Sequence, residues 1–282
     1  MAYTTLIPAA ALAAQLQNPQ WIIIDCRFSL AEPELGFKNY RFGHIPRARY
    51  ADLNRDLSSQ PTTLTGRHPL PNFKLLSQKI GAWGVTNRSQ VVVYDDAGGA
   101  FAGRLWWLLR TLGHEHVAVL DGGLQAWNRS GFPVTTALPV IAPAHFRPYL
   151  DEKAWLTATE VENALAARRI ILIDARTPER YAGKVEPIDP VAGHVPKAIN
   201  RPLQRNLAAD GAFLPPEQLR AQFTQLIGNA SPKQVVNMCG SGVTACHNLL
   251  AMEHAGLSGA KLYAGSWSDW ISNRNRAVSR EG

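Results

Sequence analysis

Cysteine is scarce: three in 282 residues, Cys26, Cys239 and Cys246, an odd number with no paired spacing. That excludes a disulfide-stapled secreted scaffold and points to a reducing compartment, so a cytoplasmic location is expected. Long apolar runs are missing as well. None reaches the roughly 18 residues of a membrane span. The start Met1-Ala2-Tyr3-Thr4 lacks the basic region of a secretory signal and soon meets Pro8. Blocks of basic residues are also absent, although Lys and Arg total 29 against 22 Asp and Glu. With no zinc-finger, helix-turn-helix or RNA-binding motif, the net charge of +7 suits small anions better than nucleic acid. A composition of 46% hydrophobic and 18% charged residues excludes wholesale disorder.

What is present is a pattern that occurs twice. The length argues for two domains. Trp21-Ile22-Ile23-Ile24-Asp25-Cys26-Arg27 reads as a buried strand ending in polar residues, and Ile170-Ile171-Leu172-Ile173-Asp174-Ala175-Arg176 repeats it. Gly43-His44-Ile45-Pro46 returns as Gly193-His194-Val195-Pro196, and Gly122 to Trp127 returns as Gly265 to Trp270. Between these blocks, strands at Gln90 to Tyr94 and Val117 to Leu120 alternate with helices at Phe73 to Trp83 and Gly103 to Leu112. Such alternation predicts an α/β fold with a parallel sheet in each half. Periodicity lapses through Pro139, Pro143 and Pro148, which predicts a first domain over 1–137, a linker over 138–154 and a second domain over 155–282.

The chemistry is expected in Val235-Val236-Asn237-Met238-Cys239-Gly240-Ser241-Gly242-Val243-Thr244-Ala245, a strand, a glycine-containing loop and a helix start. Glycines let the loop turn its amides inward, and the helix start adds unpaired N–H groups and partial positive charge. A cysteine in such a nest is expected to act as a thiolate, because the donors stabilise the anion. Sliding the halves at the offset of 143 set by Trp127 and Trp270 brings Asp96 onto Cys239, so the first half is expected to lack thiol chemistry. Phosphatase-like chemistry needs Cys-x5-Arg, and the sixth residue after Cys239 is Ala245.

Together these pieces make the chain resemble the tandem-domain rhodanese family, which includes thiosulfate and 3-mercaptopyruvate sulfurtransferases. The resemblance implies two rhodanese-like domains, each a small parallel sheet with helices on both faces, the first inactive. It implies a persulfide on Cys239 held by the amides of Gly240, Ser241, Gly242, Val243, Thr244 and Ala245, with no metal or organic cofactor. The sulfur would pass to a thiol, a thioredoxin-like protein or cyanide. Thiosulfate enzymes of the family place basic residues after the cysteine, whereas Gly240-Ser241-Gly242 is uncharged, so 3-mercaptopyruvate is the favoured donor and thiosulfate the alternative. A persulfide carrier without turnover is the further alternative. Ser241 is expected to serve proton transfer, with His44 reaching in from the first domain. Arg180 matches the family's carboxylate-binding arginine. A second arginine is expected about nine residues later, where this chain has Ile188-Asp189-Pro190, and Lys184 and Arg201 are the candidates to replace it.

Overall fold

The computed structural model describes residues 2–280. It divides into two compact units. The first takes in residues 2–59, Pro71–Asp151 and Ala209–Phe213; the second takes in Gln60–Leu70, Glu152–Ala208 and residues 214–280. The segment Gln60–Leu70, which falls inside the first repeat of the sequence, therefore packs with the second unit.

The first unit runs β1 (Leu6–Ile7), α1 (Ala9–Ala13), β2 (Trp21–Asp25), α2 (Leu35–Phe42), β3 (Arg49–Tyr50), α3 (Phe73–Ala82), β4 (Gln90–Tyr94), α4 (Ala102–Thr111), β5 (Val117–Leu120) and α5 (Gly123–Arg129). The second repeats it as β6 (Trp155–Leu156), α6 (Ala158–Ala166), β7 (Ile171–Asp174), α7 (Pro178–Tyr181), β8 (Ile199–Asn200), α8 (Pro216–Ile227), β9 (Val235–Met238), α9 (Ala245–His254), β10 (Lys261–Tyr263) and α10 (Ser266–Trp270). Each unit holds a five-stranded parallel sheet, ordered β1-β5-β4-β2-β3 and β6-β10-β9-β7-β8. The central strands are apolar at successive positions because both their faces are covered: every residue of β4 and of β9 is buried. The helix after each is nearly as deep, with eight of ten residues buried in α9.

The repeated polar strand ends are structural. In each unit the strand-end aspartate forks its arginine, Asp25 with Arg27 at 2.6 Å and Asp174 with Arg176 at 2.7 Å. Each arginine then donates to the glycine carbonyl of the Gly-His turn, Gly43 or Gly193, at 2.7 Å. A fully buried aspartate is tolerated there because its guanidinium partner comes from two residues away. Residues 138–154, expected as a linker, contain neither helix nor strand, and 138–151 belong to the first unit. They hydrogen-bond along the first unit, Ala144 N–H to Gly81 O at 2.8 Å and Tyr149 N–H to Leu112 O at 2.9 Å.

Candidate active site

Cys239 occupies the first position beyond β9, 1% exposed, and the start of α10 fixes it in place. Its N–H donates to Ser266 Oγ at 3.1 Å, and its carbonyl accepts the Trp267 N–H at 3.0 Å. The Gly240 carbonyl accepts the Ser268 N–H at 2.9 Å. Ser266 pays for this with a left-handed backbone, φ +54°, and its hydroxyl donates to the Tyr263 carbonyl at 2.8 Å. Gly242 turns the loop at φ +76°, and a Cβ there would lie 2.0 Å from the Ala264 carbonyl oxygen, so no other residue fits.

The first unit shows what such a loop binds. There the carboxylate of Asp95 accepts four backbone N–H groups, from Ala97 at 2.9 Å and from Gly99, Phe101 and Ala102 at 2.8 Å each. Strand register equates Asp95, not Asp96, with Cys239: Asp25 pairs with Tyr94, Asp174 pairs with Met238, and each cysteine-position residue follows directly. The backbone agrees, since Leu124 N–H bonds to Asp95 O as Trp267 N–H bonds to Cys239 O. The expectation of Asp96 is thereby corrected. The interval from Asp95 to the start of α4 is one residue longer than that from Cys239 to the start of α9, so the offset counted back from the tryptophans misses by one. The strand–loop–helix turn is thus an anion nest, occupied in one unit by a resident carboxylate and carrying a thiol in the other.

Around Cys239 the loop Gln60–Leu70 supplies two side chains that sequence reasoning did not single out. His68 is buried, with Nδ1 2.7 Å from Ser241 Oγ. Arg67 donates through its backbone N–H to Ser268 Oγ at 3.1 Å and through Nη1 to Asp189. The chain enters closely because Gly66 has no side chain: a Cβ there would sit 2.5 Å from the Gly265 carbonyl oxygen.

Arg180, from the short α7, donates to Glu186 at 2.7 Å and to Asp189 at 3.1 Å. Burial works to raise the Glu186 carboxyl, but hydrogen bonds and charge from Arg180 bring it below the usual range. Burial pushes the Asp189 carboxyl up; the Arg67 guanidinium opposes that and the Glu186 charge adds to it. A Cβ on Gly240 would lie 2.9 Å from Arg67 Nη2 and 3.6 Å from both Nη atoms of Arg180. Two guanidiniums therefore converge on the residue beside the thiol.

His44 has another use. Its ring stacks on Tyr40 at 4.1 Å between centroids, with Nδ1 2.7 Å from Tyr40 O and Nε2 3.2 Å from Ala137 O. His194 repeats this against Tyr181, with Nδ1 2.8 Å from its carbonyl. Both are turn histidines whose ring nitrogens face backbone carbonyls of their own unit, and the imidazole that hydrogen-bonds Ser241 is that of His68. Arg201 does not stand in for the missing arginine: it lies on the Phe223 ring and donates to Asn206 and Gln222. Lys184 is exposed. Cys246 is buried in α9 with its thiol on the Gly242 carbonyl at 3.4 Å, and Cys26 is buried in the first unit.

The sequence profile of the rhodanese-like domain matches this chain at residues 8–130 and again at 157–273. A probable 3-mercaptopyruvate sulfurtransferase of Pseudomonas aeruginosa is 46% identical over 99% of both chains. A putative thiosulfate sulfurtransferase of Mycobacterium tuberculosis is 39% identical over 98% of this chain and 96% of its own length. Among solved structures, the 3-mercaptopyruvate sulfurtransferase of Leishmania major superposes with a TM-score of 0.83 at 31% identity, covering 94% of this chain and 73% of that one. The chain belongs to the rhodanese family, as a sulfurtransferase built from two tandem rhodanese domains.

Proposed function

We propose that this enzyme takes sulfur from 3-mercaptopyruvate onto Cys239 and passes it to a thiol acceptor. The observation that carries the donor is the His68–Ser241 hydrogen bond beside an otherwise uncharged loop. In the first half-reaction the Cys239 thiolate attacks the donor sulfur, an S–S bond forms and the C–S bond breaks. The electron pair of the broken bond moves onto carbon as the enolate of pyruvate. The proton of the donor's own thiol must then travel from sulfur to the enolate carbon, leaving a persulfide anion and neutral methyl. Ser241 and His68 make a relay for that proton. Thiosulfate releases sulfite and needs no such transfer.

The persulfide anion is stabilised by the loop amides in the way the Asp95 carboxylate is held in the first unit. An acceptor thiolate, from a small thiol or a thioredoxin-like protein, attacks the outer sulfur and regenerates Cys239; cyanide serves the same step in an assay. The first unit, with a carboxylate at the cysteine position, binds its own loop closed and contributes no nucleophile. Three free cysteines suit work in the reducing cytoplasm, and among the described residues no helix is long and apolar enough to cross a membrane.

The test is kcat/KM for both donors with one acceptor. We expect 3-mercaptopyruvate to exceed thiosulfate by at least about tenfold, the equivalent of one 1.4 kcal/mol difference in transition-state binding. The reverse order would overturn the donor. Absence of an added sulfur on Cys239 after donor treatment would overturn the mechanism.

A further inference from the structure

The 3-mercaptopyruvate reading leaves one charge unaccounted for. A guanidinium fork suits a planar carboxylate, and the place in the chain where the resemblance implies a second arginine holds Asp189, an anion. Asp189 is not a mere vacancy in the pattern. Its side chain is 2% exposed, and its two oxygens face different arginines: Oδ1 accepts from Arg67 Nη1 and Oδ2 from Arg180 Nη2 at 3.1 Å.

Arg67 is tied down at two points, its backbone N–H on Ser268 Oγ and its Nη1 on Asp189, yet its remaining donors are unspent. Its Nε is buried without a hydrogen-bond partner. Its Nη2 is directed at Gly240, within 2.9 Å of where a Cβ would stand, and Arg180 reaches the same point at 3.6 Å. The residue after Arg67 is His68, which bonds Ser241. One loop thus brings a cation to Gly240 and an imidazole to Ser241, the two residues that follow Cys239.

We propose that Arg67 is the second carboxylate-binding guanidinium of the site, anchored by Asp189, which takes the place of an arginine in its own segment and aims one from another. The proposal rests on the α-keto acid reading of the donor. It also bears on selectivity. Arg67 and Arg180 carry two positive charges, and Asp189 and Glu186 cancel them, so the site offers directed hydrogen bonds to a planar monoanion without a net positive field to draw a dianion such as thiosulfate.

The test measures binding apart from turnover. Pyruvate, the product that carries the carboxylate, is titrated for its protection of Cys239 against alkylation by iodoacetamide, a neutral reagent. In Arg67→Gln the half-protecting concentration is expected to rise about 10- to 100-fold, the scale of one hydrogen-bonded charge pair. The kcat/KM for 3-mercaptopyruvate should fall by a similar factor. Mercaptoacetone, the same thiol ketone without the carboxylate, should change by less than about threefold, which separates carboxylate binding from loss of the fold. The reversed pair, Arg67→Asp with Asp189→Arg, should bind pyruvate better than Arg67→Asp alone. An unchanged half-protecting concentration in Arg67→Gln, no protection of the wild type, or a reversed pair no better than Arg67→Asp would overturn the proposal. A wild type that prefers thiosulfate would overturn the donor reading instead, and leaves the pyruvate titration to decide on Arg67.

Discussion

At the scale of the residue, the loop after Cys239 meets His68 at Ser241 and the Arg67 and Arg180 guanidiniums at Gly240, and each proposed role has its own kinetic mark. Cys239→Ser is expected to abolish turnover with every donor and to remove the added sulfur seen by mass spectrometry. His68→Asn should cost about 10²–10⁴ in kcat with 3-mercaptopyruvate, the usual contribution of a positioned acid or base. It should spare persulfide formation from thiosulfate, whose sulfite leaves without a proton; single-turnover rates with the two donors measure the split, and equal losses would refute the relay. His44→Gln should instead lower stability by about 1–2 kcal/mol, from the lost carbonyl bond and Tyr40 stacking, with kcat/KM nearly unchanged. The loop that carries Cys239 and Ser241 was legible in the sequence because a loop between strand and helix is a local motif, whereas Arg180 was marked only by the resemblance to the family. His68 was not, because its partner is 173 residues away and its own segment has no periodicity. The Gly-His turn recurs in both halves of the sequence, and packing accounts for the recurrence, since the same stack stands in both units.

At the scale of the element, the unit of function is the strand, its following loop and the helix beyond. The first unit makes the energetics of that loop visible. Asp95 is fully buried with four N–H groups on its carboxylate, so Asp95→Ala strands those donors and should cost about 3–5 kcal/mol, the scale of breaking a buried charged cluster. Urea denaturation measures it, and a loss below about 1 kcal/mol would show the nest to be incidental. In the catalytic loop Gly242→Ala meets both a left-handed φ and the Ala264 carbonyl, and should cost about 3 kcal/mol while displacing the loop amides from the persulfide. The long elements followed from the sequence: the Gln90–Tyr94 and Val117–Leu120 strands and the Phe73–Ala82 helix stand where the apolar runs put them. The two-residue strands β1, β3, β6 and β8 did not, because two residues carry no period. The helix α2 was hidden by Gly36, whose lack of a side chain admits the Arg27 carbonyl at 2.1 Å from the Cβ position and reads in sequence as a loop signal.

At the scale of the whole molecule, the duplication was legible because each block keeps its internal spacing and the blocks keep their order, whereas the exchange of Gln60–Leu70 and Ala209–Phe213 between the compact units was not, since packing partners of irregular segments leave no period in the chain. The two units also differ in how they answer to acid. His114, in the first unit between α4 and β5, is 1% exposed and packs edge-on against Phe146 at 5.8 Å. Burial pushes its imidazole down from 6.5 to about 4, and the neighbouring His116 adds to the depression. The folded protein therefore holds His114 neutral over a range in which the unfolded chain protonates it, and stability must fall as pH drops from 6.5 towards 4. When complete, that loss amounts to about 3 kcal/mol, of which about 2 kcal/mol is lost by pH 5. The second unit has no residue of its own at that position in the repeat with the same liability, since Leu257 stands at the offset of 143 set by the flanking helix and strand. His114→Leu should flatten the decline: between pH 7 and 5 its unfolding free energy should drop by about 2 kcal/mol less than that of the wild type, read from urea midpoints at each pH. Parallel pH profiles for the two proteins would show that other groups carry the acid sensitivity.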